Sequence, residues 1–222
     1  MLIRPTALMK EARMFVITAD QVDSRRRADI VAPTLDAIHE RYGERLALPP
    51  DRNAGDELQT LTADPATALD LVLDLTRDGA WSVGLGLGDV RLPLPDNTRE
   101  ATGDAFIAAR AAVTRAKRTP ARFAVEAVAA EEPAADAEAL LTLLLTLREG
   151  RTAAGWELYD LVSSGLTQAE AGARLGITPQ SASDRARAGA LRAELAAIPA
   201  LTRLLARADA AQADRRTPEE DA

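Results

Sequence analysis

Residues 52–59 read RNAGDELQ, placing two adjacent carboxylates, Asp56 and Glu57, directly behind an Asn-Ala-Gly sequence. Asn53 and Gly55 tolerate the left-handed backbone of a tight turn, so the stretch predicts a β-hairpin with its carboxylates at the tip. A third carboxylate, Asp20, closes the run RMFVITA at 13–19, whose β-branched and aromatic content predicts a buried strand. If that strand pairs with the hairpin, Asp20 and Asp56 meet at one edge of one sheet. Such a pair suits Mg2+, which takes one or two carboxylates and completes its octahedron with water and phosphate oxygens. Between this strand and the next helix stand Ser24, Arg25, Arg26 and Arg27. Helix-start amides and guanidinium groups there can hold phosphate. Carboxylates for a cation beside basic groups for phosphate point to a nucleotide ligand. The alternative reading makes Asp20, Asp23 and Asp56 turn and cap residues, and for Asp23 it is the preferred one.

The elements that must position these groups follow from the pattern of the chain. A helix is expected from about 28 to 42, stopped by Gly43, and residues 46–48 and 58–61 are expected to form the two hairpin arms. Asp64 caps a helix that opens with Pro65 and ends before Gly79. A long glycine-containing strand is expected at 81–94, a helix at 102–117 and a short strand at 121–125. The order strand, helix, hairpin, helix, strand, helix, strand predicts an α+β fold, a palm-like or ferredoxin-like antiparallel sheet covered by helices, over residues 12–128. The glycines of GLGLGDV lie inside a strand and do not form a dinucleotide fingerprint; they read as positions of close packing or a bulge. The acidic, Ala-rich segment 129–139 reads as a linker, 140–213 as an all-α domain and 214–222 as a charged, fraying tail.

The segments FVITADQVDSRR, AGDELQ, VGLGLGDVRLPLP and GDAFIAARAA resemble the SatD family of small bacterial proteins. Their order is also similar to the palm-like fold of diguanylate cyclases and class III nucleotidyl cyclases. The resemblance spans roughly residues 13–125. It implies that Asp20 and Asp56 are metal ligands and that Glu57 lies near an attacking 3′-hydroxyl, in metal-assisted phosphoryl transfer. Ala54 departs from the first glycine of the hairpin signature, and no residue set for reading a purine base is evident. The family's chains usually begin near Met14, so residues 1–11 are expected to be a dispensable extension.

A second motif, LTQAEAGARLGITPQSASDRARAGALRAE, occupies 166–194. Thr167 and Glu170 have capping-box spacing, Gly176 allows a turn, and Thr178 precedes Pro179 as the next cap. Ala171, Gly172, Leu175, Ile177 and Ala182 are the expected buried set. The pattern resembles the helix-turn-helix modules of bacterial regulators. That resemblance implies a recognition helix from Pro179, with Gln180, Ser181, Asp184 and Arg185 facing a major groove and Thr178, Ser183 and Arg187 holding phosphates. A helical bundle serving protein contacts is the alternative. The preceding helix, DAEALLTLLLTLREG, carries Leu on every side, so it is expected to be buried under the second domain or against a second copy in a homodimer.

The totals narrow the classes further. The 222 residues include no cysteine, which excludes disulfides and thiolate metal sites, and a single histidine, His39, which gives a His-centred zinc site or a Ser-His triad little to build on. Only 3% are aromatic, so Ala, Leu and Val must build the core. No stretch reaches the length of a membrane span, and no signal peptide is evident, so the expected location is cytoplasmic, without a membrane partner. The net charge of −7 confines any DNA contact to a local patch. The reading with the best support is a DNA-binding regulatory protein whose palm-like domain binds a nucleotide through Mg2+. An active nucleotidyl cyclase or transferase and a protein scaffold are the alternatives.

Overall fold

The structure, a computed structural model, describes residues 10–214, and side chains as far as residue 211. The elements run β1 (Glu11–Gln21), α1 (Val31–Tyr42), β2 (Asp51–Ala54), β3 (Glu57–Thr62), α2 (Pro65–Leu75), β4 (Trp81–Arg91), α3 (Asp104–Ala116) and β5 (Phe123–Ala127), followed by five helices. These are α4 (Glu131–Glu149), α5 (Ala153–Ser163), α6 (Gln168–Arg174), α7 (Pro179–Ala188) and α8 (Leu191–Asp214). The chain divides into two compact units, one holding the residues through Glu138 together with those from Arg203 on, the other Ala139–Thr202.

In the first unit the strands are ordered β2-β3-β1-β4-β5. β1 lies antiparallel to both β3 and β4, the arrangement of a ferredoxin-like split βαβ, which confirms an α+β fold. The sheet is mixed rather than wholly antiparallel, because β5 runs parallel to β4 after the α3 crossover. As the central strand, β1 is covered on both faces, and so Met14 through Ala19 are all buried instead of alternating.

The glycines of β4 explain how α3 is seated. Gly84, Gly86 and Gly88 share one strand face, and an added Cβ would stand 2.2 Å from Val113 N, 2.2 Å from Ala109 N and 2.7 Å from Ala105 N respectively. α3 answers with its own small residues, burying Ala105, Ala108, Ala109, Ala112 and Ala116. Helix backbone therefore lies almost on strand backbone, as the close-packing reading expects. Val83, Leu85 and Leu87 point the other way into the core and are fully buried.

Several boundaries differ from expectation for identifiable reasons. The first hairpin arm is Asp51–Ala54, not 46–48, because Pro49 and Pro50 interrupt the chain where ladder donors would be needed. Ala47 and Leu48 instead pack on the core beside Leu61. The segment 129–139 is helical from Glu131, and its Glu138 Oε2 accepts the Val125 amide of edge strand β5 at 2.6 Å while both carboxylate oxygens hold Arg115 at 2.6 Å. Of the expected dispensable extension, residues 1–9 lie outside the described residues, but Glu11 belongs to β1 opposite Arg91, and the Lys10 carbonyl accepts the Leu92 amide at 2.8 Å. The tail from 215 on likewise lies outside the described residues. No described helix is long and apolar enough to cross a membrane.

The second unit is all helical. Leu158, Ala171, Ala182, Ala186 and Leu191 form its core, with Tyr159, Leu161, Val162, Leu166, Leu175 and Ile177 packed around them. The leucine-rich helix α4 is not buried all round: Leu141, Leu144 and Leu145 point inward, whereas Leu140, Leu143 and Leu147 are 50%, 59% and 48% exposed. A charged cluster also lies inside this unit. Arg151 donates to Glu194 Oε2 at 2.5 Å and to the Gly189 carbonyl at 2.6 Å, and Arg148 approaches Glu194 Oε1 at 3.4 Å. Trp156 and Tyr159 cover both guanidiniums at 4.4 to 5.7 Å.

Candidate functional site

The hairpin turn sits where strand chemistry puts it. Gly55 takes the left-handed conformation at φ +50°, whereas Asn53 does not; it is the bulged residue of β2, and its amide donates to Glu57 Oε1 at 2.5 Å. The Gln21 amide donates to the Asp56 carbonyl at 2.9 Å, which ties the end of β1 to the hairpin tip. Asp20 faces Glu57 in the β1–β3 register and Ser82 in the β1–β4 register, so all three share the α3 side of the sheet.

Lys117, just past α3, stands among these groups. Its ammonium donates to Asp20 Oδ2 at 2.6 Å. Asp56 is held below the ordinary carboxylate range, chiefly by the hydrogen bond it accepts from the Ser24 hydroxyl, with the charges of Lys117 and Arg25 adding to the effect. Lys117 thus pairs directly with Asp20, while Asp56 feels its charge without a direct ion pair. Arg122 reaches the same strand ends and donates to Ser82 Oγ at 3.3 Å. Among the described residues no group of three or more acidic or histidine side chains gathers as a metal cage.

The other expected members of this site are placed unevenly. Ser24 joins it through Asp56, but α1 begins only at Val31, so residues 24–27 form a turn with no free helix-start amides. The amides of Arg26 and Arg27 donate to the carbonyl of Asp23, a turn residue at φ +55°. Arg25 and Arg26 are exposed, and only Arg25 adds its charge to that felt by Asp56. Glu57 is buried and accepts from Arg110 at 2.9 Å as well as from Asn53, so its carboxylate ties the hairpin to α3. Lys117, Arg122 and Ser82 were not identified from sequence. Lys117 did carry a signal, being one of only two lysines, with Lys10, in an arginine-dominated chain.

The helix-turn-helix is built as its spacing predicts. Thr167 and Glu170 complete a capping box on α6, Gly176 turns the chain at φ +66°, and Thr178 caps α7 by accepting the Ser181 amide, with Pro179 at its first position. An added Cβ on Gly172 would stand 3.1 Å from the Ala182 Cβ, so glycine lets α6 and α7 cross closely. Ala171, Gly172 and Ala182 are buried, and Leu175 and Ile177 are half-buried.

The outer face of α7 presents Gln180, Ser181, Asp184 and Arg187, all exposed, with Ser183 at its margin. Asp184 accepts from Gln180 at 3.1 Å and from Arg187 at 3.0 Å. The Thr178 and Ser181 hydroxyls bond each other at 3.0 Å. Arg185 does not join this face. It turns toward α5 and donates to the Ala154 carbonyl and to Glu157, each at 3.4 Å.

No family model matches this chain, and no curated protein matches it. One solved structure, a regulator of polyketide synthase expression from Bifidobacterium adolescentis, is similar at 14% identity. The likeness covers 95% of this chain and 84% of that one at a TM-score of 0.33, a level that carries no argument about fold or function.

Proposed function

We propose that this protein is a DNA-binding regulator whose helical unit reads DNA through α7, and whose sheet unit takes a phosphate-bearing ligand, a nucleotide, together with a divalent cation. The observation that carries the reading is the outer face of α7. It is a capped helix crossing α6 closely, and its outward side chains are amide, hydroxyl, carboxylate and guanidinium, with no large apolar group. A polar helix face of this kind suits base edges and phosphates, whereas a protein-docking face needs an apolar anchor.

For the sheet unit, support comes from Asp20 and Asp56. Asp20 pairs with Lys117, and Asp56, tied to Ser24, is held below the ordinary carboxylate range. Two carboxylates with Ser24, Arg25 and Arg122 in the neighbourhood fit a divalent ion with a phosphate chain, and Asp20 and Asp56 are the residues that would hold the ion. A divalent cation held there would supply the positive charge that joins carboxylate and phosphate oxygens. Lys117 must then release Asp20 and is placed to take up phosphate. Glu57, bound to Arg110 and Asn53, offers no support for a role beside an attacking hydroxyl, so ligand binding is favoured over cyclase activity.

The test is fluorescence anisotropy of the full chain on DNA from upstream of its own reading frame, with and without Mg2+ and each nucleoside triphosphate. Saturable binding that Gln180→Ala with Ser181→Ala weakens is the expected result. Identical curves for wild type and this double variant would overturn the assignment of α7.

A further inference from the structure

Beside the outer face of α7 runs a groove of about 360 Å3 lined by Ser183, Ala186, Arg187, Ala190, Arg192 and Ala193. Its lining holds two guanidiniums and a hydroxyl but no carboxylate. That composition stands out in its surroundings, because residues 139–202 contain six arginines and six carboxylates. Arg148 and Arg151 are withdrawn into the interior with Glu194, and Arg185 leans on Glu157. Of the arginines left on this unit's surface, Arg174, Arg187 and Arg192, two line the groove. Three alanines form the rest of the lining, so no bulky side chain keeps a ligand away from the guanidiniums.

The groove's position also matters. Arg192 donates to Gln168 Oε1 at 3.5 Å, and Gln168 is the first residue of α6. Its guanidinium therefore stands between the first helix of the motif and the flank of α7, beside the groove-facing side chains rather than among them. We infer that this groove seats one backbone phosphate of duplex DNA. Arg187 and Arg192 are its guanidinium pair, and the Ser183 hydroxyl is a third donor. The inference rests on the DNA-binding reading of α7 and goes further, naming Arg192, outside the helix-turn-helix face, as a positioning residue that fixes how α7 enters the major groove. Arg187 exchanges Asp184 for the phosphate at little cost, because that ion pair is solvent-exposed, at 74% and 54% for the two side chains. Asp184 keeps its bond from Gln180.

A phosphate seat has a signature that a structural arginine lacks: removing it weakens binding to every sequence alike and lowers the salt dependence by about one counterion per contact. The experiment measures affinity of the full chain across a salt series for a random-sequence duplex of about 30 base pairs, long enough to cover the footprint of a single helix-turn-helix. Arg187→Ala and Arg192→Ala should each reduce the log–log salt slope by about 1, and Arg207→Ala, an exposed charge-matched control in the other unit, should leave it unchanged. Wild-type slopes for both groove variants, with binding to the chain's own upstream DNA still weakened by Gln180→Ala with Ser181→Ala, would overturn the groove and leave the reading of α7 standing. An equal loss in Arg207→Ala would likewise overturn it, by making the effect one of total charge. A wild-type chain that binds neither this duplex nor its own upstream DNA would overturn both.

Discussion

Replacing Glu194 with Gln keeps the shape of the buried cluster but removes the carboxylate that Arg148 and Arg151 both approach. Arg151, with a side chain 1% exposed, would then lose its ion-pair partner, and Arg148, 5% exposed, would lose the attraction of Glu194. Breaking a buried pair in this way costs about 3–5 kcal/mol, because an uncompensated charge remains in the interior. The faces of Trp156 and Tyr159 offset part of this, at roughly 1–2 kcal/mol for a desolvated cation–π contact. A helical unit of this size is stabilised by only roughly 3–10 kcal/mol, so a net loss of about 3 kcal/mol is most of its margin. The Gly189 carbonyl that Arg151 holds closes the C-terminal end of α7, so α7 should loosen along with the cluster. Urea unfolding read by Trp156 fluorescence, in a Trp81→Phe background that silences the sheet unit, measures this directly. With a slope of about 1 kcal/mol/M the midpoint should fall by about 3 M, or the unit should already be unfolded in buffer. Replacing all three charged residues by Met or Leu should recover most of the loss. A midpoint within about 0.5 M of wild type for Glu194→Gln, which is below about 0.5 kcal/mol at that slope, would refute the reasoning.

Gly86→Ala places a methyl 2.2 Å from the Ala109 amide nitrogen and must push α3 off the sheet, so thermal unfolding should show a loss of at least about 3 kcal/mol. Asp184→Ala frees both Gln180 and Arg187, and anisotropy should show tighter binding to random duplex DNA; weaker binding there would contradict the placement of Arg187. Tyr159 is pushed up to about 12, by burial first and the neighbouring Glu194 second, and Tyr42 is raised further by burial and Asp74. Absorbance titration should therefore show no tyrosine ionising near 10. Because both groups ionise more readily in the unfolded chain, the stability they contribute is complete below pH 10 and falls as pH rises above it, through about 12 for Tyr159 and further for Tyr42. Asp56→Asn keeps the turn but removes the charge, so a Mg2+-dependent rise in melting temperature seen for wild type should vanish while the fold persists.

The sheet unit was legible because its signals are local. The buried run of β1, the Asp64–Pro65 helix start and the Gly55 turn each need only their own neighbours. The limits of β2 depended on Pro49 and Pro50, whose missing donors outweigh the apolar pull of 46–48. The helical character of 129–139 was hidden because Pro133 fits a first helical turn, and because Glu138 gains its partners from β5 and α3, far away in sequence. The candidate sites divide in the same way. Capping and turn chemistry placed the helix-turn-helix almost residue by residue. The redirection of Arg185 to Glu157, the capture of Glu57 by Arg110 and the arrival of Lys117 at Asp20 are all tertiary pairings that no spacing rule reports.

Selection of genomic DNA fragments by the full chain tests the central claim most directly. Wild type should enrich fragments that share a common short sequence, and Gln180→Ala with Ser181→Ala should abolish or change that sequence while leaving the fold and non-specific binding intact. Recovery of the same unselected mixture by wild type and by the variant would contradict it.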